Sequence, residues 1–277
     1  MRKRILKVKW KNFIAVIIFL ICFIVLIFSI KDVLRWKLES NKIEQQIEKI
    51  QETVEVEKVD DTEEVEIIEQ VEEIPESNPY WDYINMNLIN VDFDELKKIN
   101  SNTKGWIQVN GTNINYPFVQ AKDNKYYLIH SFDKSYNNAG WVFLDYRNNI
   151  NSLSKNTIIY AHGRLDTTMF GSLKNILESG WLNNTNNYVV KLSTETENTL
   201  WQVFSVYTIP TTNDYIQVNF NSSEEFKNWT NLLINRSAYN FNALVSENDY
   251  VLTLSTCYSD TKKTVLHAKL IKKETRI

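Results

Sequence analysis

Residues 13–30, "FIAVIIFLICFIVLIFSI", contain no charged side chain. A run of that length in hydrocarbon must satisfy its own backbone, so it predicts a membrane-crossing helix. A cleaved signal peptide is the competing reading, but its apolar region spans about 7 to 15 residues and ends at a small-residue cleavage site. The following "KDVLRWKLES" offers no such site. Arg2, Lys3, Arg4, Lys7, Lys9 and Lys11 precede the run with no acid among them. The positive-inside rule then predicts residues 1–12 as a basic cytoplasmic tail, 13–30 as a single transmembrane helix, and the rest outside, at the cell membrane.

Residues 31–77 are expected to form an acidic stalk. The segment is dense in glutamate and without glycine. Ile43, Ile47 and Ile50 have helical spacing, so the helix is expected to continue part of the way. Beyond it the acid density favours a solvated, self-repelling spacer over a packed element, even through the alternating "VEVEKV". Past Pro75 and Pro79 the composition becomes aromatic and mixed, predicting a folded domain over 78–277.

The domain opens with "PYWDYINMNLINVDFDELKKIN", which reads as one or two helices, Asp92 to Glu95 offering a cap signal. Eight short β-branched and aromatic runs follow: "GWIQVNG", "INYPFVQ", "AGWVFLDYR", "NTIIYAHG", "YVVKLS", "LWQVFSVYTI", "DYVLTLSTC" and "KTVLHAKLI". Asn, Gly, Asp and Ser clusters separate them, so the fold class is mainly β with flanking helices, closed or nearly closed. Two helical inserts interrupt the strands. One is "TTMFGSLKNIL"; the other is "SSEEFKNWTNLLINRS", with Ser222 or Ser223 as cap and Phe226, Trp229, Leu232 and Leu233 as the apolar face.

The chain has two cysteines. Cys22 lies in the apolar run, where it reads as a small apolar side chain. Cys257, at the end of "VLTLSTC", has no intrachain partner outside the membrane. There a lone thiol is an intermolecular bridge or a reactive group, and the second reading is preferred. A thiolate nucleophile needs an imidazole nearby. Of three histidines, His130 and His267 read as hydrogen-bonded structural residues within strand patterns. His162 ends an apolar strand just before Gly163, where a catalytic group meets a cleft. No metal-ligand cluster or phosphate-binding glycine loop is present, so no metal or cofactor is expected. A net charge of -3 and the anchor argue against nucleic-acid binding.

"TLSTC" and "IIYAHG...MFGSL" resemble the cysteine and histidine motifs of the sortase family. "KGWIQVNGTNINYPFVQAKDNKYYLIHSF", "AGWVFLDYRNN" and the helix before the last two strands resemble its class B branch. The resemblance implies an eight-stranded β-barrel with N-terminal helices and a long helix between the two penultimate strands, on the surface of a Gram-positive bacterium. It implies cysteine transpeptidation: a sorting peptide of a surface protein is cut after Thr, held as a thioester on Cys257, and passed to an amine of a peptidoglycan precursor. His162 would serve as acid and base. The family's third catalytic residue is an arginine, and Lys263 stands at that place. Lysine keeps the charge and loses the bidentate fork. Lys263 is favoured, with Lys262 through a register shift, or Arg164 or Arg236 from elsewhere, as the other readings. Asn124, Leu128, Thr211, Tyr215, Ile216 and Ser255 match groove positions that hold the peptide.

Alternatives share parts of this chemistry. A pilus-type sortase would be expected to carry an N-terminal lid and often a C-terminal membrane segment. A cysteine peptidase would release the acyl group to water. A catalytically weakened, sortase-like surface-binding module would keep the barrel without the reaction.

Overall fold

The computed structural model describes residues 10–59, 65–68, 74–256 and 262–276. The chain divides into two units, Met1–Ile43 and Glu44–Ile277. The first is described as helix only. It belongs to helix α1, Trp10–Thr53, whose most apolar window has a mean hydropathy of 3.5 and no buried residues. Among the described residues this helix alone is long and apolar enough to cross a membrane.

In the second unit, the end of α1 packs through Ile50, and Val54 just beyond it is also buried. The structure then departs from the solvated spacer expected over 31–77. Strand β1 (Val56–Val59) pairs antiparallel with β3 (Leu88–Val91), and β2 (Val65–Ile67) pairs antiparallel with the last strand, β11 (Lys262–Thr275). Alternating Val and Glu suits a strand with one face on the protein and one in water. Ladder bonds to β3 and β11 order these segments despite the acid density that argued for solvation, with a partly exposed Glu66–Lys273 ion pair at 3.0 Å beside them.

Helix α2 (Tyr80–Ile84), β3 and α3 (Asp94–Ile99) lead into the sheet, so the helical opening is interrupted by a strand. The Asp92 side chain accepts from the Asp94 N–H just ahead of α3, but the cap position itself is Phe93, which makes no side-chain cap, so the expected cap is met only by this turn. The eight expected strands all form: β4 (Thr103–Val109), β5 (Asn115–Val119), β6 (Phe143–Leu144), β7 (Asn156–Ala161), β8 (Val189–Ser193), β9 (Glu197–Pro210), β10 (Val251–Thr256) and β11. Their order is β10-β7-β6-β5-β4-β8-β9-β11, and β10 also pairs with β11, which closes a barrel and leaves no free edge among them. Two pairs, β5 with β6 and β7 with β10, are parallel. Strand β2 extends the edge of β11 that β10 occupies further up.

The core is aromatic, with Trp106, Trp141 and Trp201 fully buried. Each indole N–H is satisfied, by Asn115 Oδ1, the Pro117 carbonyl and Thr199 Oγ1. The first helical insert is a 3₁₀ segment, Gly171–Leu177, followed by the short α4 (Ser179–Leu182). The second is α5 (Ser223–Arg236). Ser222 caps it by accepting from the Glu225 N–H. Its Phe226, Trp229 and Leu233 pack with Phe204, Tyr207, Val251 and Val265. Leu232 does not join that face and is 37% exposed, because the helical turn carries it round toward solvent.

Candidate active site

Strands β7 and β10 run parallel with Thr256 opposite Ala161. The residues that follow them in the chain are Cys257 and His162. Cys257 lies outside the described residues. His162 is half-buried, and its Nε2 lies 2.8 Å from the Leu128 carbonyl oxygen. A carbonyl can only accept, so Nε2 carries the proton and Nδ1 is the basic nitrogen of the neutral ring. This is the one hydrogen bond the ring makes among the described residues.

Glycine holds that geometry from behind. Gly140 has φ +62, and a Cβ there would fall 2.5 Å from the Tyr127 carbonyl oxygen, 2.9 Å from that of Leu128 and 3.1 Å from His162 Cδ2. The loop after His162 returns on itself through the bond from Phe170 N–H to the His162 carbonyl, with Thr167 and Met169 at positive φ. Inside it Arg164 is tied to Asp166 at 2.6 Å and to Thr168. Arg236 is paired with Asp214 at 2.5 Å. Both arginines considered as distant replacements are thus held in ion pairs. Lys262 and Lys263 begin β11, opposite Pro210 and Ile209, with Lys262 exposed and Lys263 half-buried. The bond from Thr264 N–H to Thr256 Oγ1, at 2.9 Å, fixes this start beside the end of β10.

The six residues expected to line a groove fall into three groups. Asn124 and Leu128 lie on the segment between β5 and β6, both half-buried. Thr211, exposed, and Ile216, half-buried, lie on the segment between β9 and α5. Tyr215 and Ser255 are buried, and their hydroxyls meet at 3.0 Å.

Sequence reasoning passed over the group that joins the first two. The Asp145 carboxylate is fully buried and accepts from Arg147 Nε and Nη2, from Asn124 Nδ2 and from Tyr160 Oη. Burial pushes this carboxyl up, but the hydrogen bonds from Arg147 and Asn124 outweigh it and hold it below the usual range. Arg147 Nη2 also donates to the Ile216 carbonyl at 3.0 Å. A chain Asn124–Asp145–Arg147–Ile216 therefore ties the β5–β6 segment to the β9–α5 segment. The only sequence signal for it was the acid and base two apart in "LDYRNN".

His130 and His267 are hydrogen-bonded, as expected. His130 Nδ1 meets the Tyr126 carbonyl at 2.7 Å, and the ring stacks on Tyr126. His267 is fully buried between Tyr207 and Thr253.

The Sortase domain family model matches residues 107–271. Sortase B of Staphylococcus aureus (strain NCTC 8325 / PS 47) is 34% identical over 184 residues, covering 65% of this chain and 75% of that protein. The crystal structure of a Bacillus anthracis protein similar to sortase B superposes with a TM-score of 0.60 at 39% identity, covering 67% of this chain and 83% of that one. A Staphylococcus aureus sortase B–substrate complex gives a TM-score of 0.61 at 33% identity, covering 65% and 84%.

A closed eight-stranded barrel with a histidine at the end of β7 thus carries the match over more than half of the chain, and the chain belongs to the sortase family. Within it the relatives are class B enzymes, and the protein is a cysteine transpeptidase of that kind.

Proposed function

We propose that the protein is a membrane-anchored sortase that cuts the C-terminal sorting peptide of surface proteins and joins the new carboxyl end to an amine of a peptidoglycan precursor. Residues 1–12 form the cytoplasmic tail, 13–30 the single span, 31–77 the connection and 78–277 the catalytic domain outside the cell. The observation that carries the site is the parallel register of β7 and β10, which ends both strands at one level, directly before His162 and Cys257.

In the first step the Cys257 thiolate attacks the carbonyl carbon of the scissile amide. The C–S bond forms to give a tetrahedral oxyanion, which then collapses by breaking the C–N bond as the leaving amine takes a proton from the imidazolium of His162. With Nε2 committed to Leu128, the mobile proton sits on Nδ1. In the second step the acceptor amine attacks the thioester, gives its proton to Nδ1, and the thiolate departs. Lys263 supplies positive charge to the oxyanion of both tetrahedral intermediates. Asn124, Leu128, Thr211 and Ile216 line the peptide groove, with Tyr215 and Ser255 as its buried support. The substrate-bound Staphylococcus aureus relative supports a peptide groove in this fold.

The test is a panel of fluorogenic sorting peptides offered to the full chain in detergent, with and without an oligoglycine amine, and with Cys257→Ala alongside. A thioester adduct by mass spectrometry and an amine-dependent ligated product are expected, both lost in Cys257→Ala. Hydrolysis unaffected by amine would make the protein a peptidase. Peptide binding with no adduct, unchanged by Cys257→Ala, would make it a binding module.

A further inference from the structure

Thr253 and His267 face each other across β10 and β11, both completely buried. Their hydrogens have one consistent arrangement. Asn156 Nδ2 donates to the Gln217 carbonyl at 2.8 Å and points toward that of Tyr215, so its Oδ1 is the acceptor that meets Thr253 Oγ1 at 2.7 Å. The single Thr253 hydroxyl hydrogen goes there. Thr253 Oγ1 must then accept from His267 Nδ1 at 2.9 Å, which puts the proton on Nδ1 and leaves Nε2 to accept from Tyr207 Oη at 2.8 Å. Tyr207, Phe204, Trp229 and Tyr215 surround the ring, with the Arg236 guanidinium beyond Tyr207. Burial, aided by that guanidinium, pushes the His267 imidazole down to about 3, so it remains neutral at physiological pH.

The circuit begins on β9 at Tyr207, three residues before the strand ends at Pro210, and crosses β11, β10 and β7. It ends on the Gln217 carbonyl, in the segment after β9 that carries Thr211, Tyr215 and Ile216. A bulge between His267 and Ala268 in the β11–β9 pairing turns β11 at this point. Because Tyr207, His267, Thr253 and Asn156 are buried, losing one partner leaves another unsatisfied, and the arrangement behaves as a unit.

We propose that His267 is a positioning residue for the sortase reaction, held as the neutral Nδ1–H tautomer, through which the strand leading to Cys257 and the groove segment at 211–217 keep one register. This rests on the function proposed above. His267 acts through the strand and the segment that its hydrogen bonds join.

Two measurements on the full chain in detergent test it. In ¹⁵N-resolved imidazole spectra, His267 is expected with Nδ1 protonated and Nε2 bare from pH 5 to 8, the reverse of neutral His162. An Nε2–H His267, or one that titrates in that range, overturns the proposal. Kinetically, Tyr207→Phe and His267→Phe are expected to lower kcat/KM for the sorting peptide about tenfold or more, the scale of a small misplacement of reacting groups. Alkylation of Cys257 by iodoacetamide, which needs no groove, is expected to change less than twofold. His267→Gln, with one donor and one acceptor, is expected to recover most of the activity. Variants with unchanged peptide kinetics, an equal fall in alkylation and peptide turnover, or a Gln variant no better than Phe would each refute positioning. If the wild type forms no thioester at all, the function fails and this inference with it; a wild type that acylates beside unaffected variants sinks this inference alone.

Discussion

The Nε2 of His162 is held 2.8 Å from the carbonyl oxygen of Leu128, a residue 34 positions earlier on the segment between β5 and β6. One bond therefore ties the orientation of the imidazole proposed as acid and base to the segment proposed as the peptide-binding wall. Gly140 supports both ends of it. Gly140→Ala is expected to keep the barrel but push the Tyr127–Leu128 backbone away from His162, lowering kcat/KM about tenfold to a hundredfold. Circular dichroism and transpeptidation of the same sample check it.

Lys263, proposed at the place of the family arginine, makes a separate prediction. Lys263→Ala is expected to reduce kcat/KM by about 100 to 1,000-fold, the loss associated with one oxyanion donor. Lys262→Ala should stay within a few fold, and Lys263→Arg should retain or raise activity by restoring the planar fork. Full activity in Lys263→Ala would remove this residue from the site.

Acid sensitivity follows from the segment between β9 and α5. The hydrogen bond from Arg236 holds the Asp214 carboxyl at about 2, below its usual 3.8. A depressed carboxylate stabilises the fold above its unfolded pKa and loses that contribution as pH falls through its folded one. Asp214→Asn is therefore expected to be less stable than wild type at pH 7, with the gap closing between about pH 4 and pH 2. Thermal unfolding across that range measures it; a gap independent of pH would count against the pairing.

Lys272 is a buried cation whose ammonium donates to the carbonyls of Ile84, at 2.9 Å, and Met86, at 3.2 Å, satisfying the end of α2. Lys272→Met is expected to cost about 3 kcal/mol, because buried carbonyls lose their donor. Urea unfolding of the detergent-solubilised chain reads this directly, and little change in the midpoint would show the carbonyls find other partners.

Much of the fold was legible because local pattern and tertiary demand agree. Every expected strand is a β-branched or aromatic run between turn residues, and each forms in place. Ser222 caps α5 because its hydroxyl finds an N–H three residues on, a relation visible in one dimension. The glutamate-rich segment was misread because its composition says solvated, while its alternation serves a strand once a partner edge is supplied. That edge comes from residues far along the chain.

The site divides the same way. The order of residues determined by itself the apolar run before a folded domain, the lone thiol at the end of "VLTLSTC" and the imidazole at the end of "NTIIYAHG", since each depends on residue type and near neighbours. Only the tertiary structure decided that β7 and β10 lie side by side in parallel, that Asp145 and Arg147 bind the β5–β6 and β9–α5 segments together, and that His162 and His267 carry their protons on opposite nitrogens. A tautomer is set by which partner lies across a gap of about 3 Å, and for these rings the partners come from other strands and loops of the closed barrel.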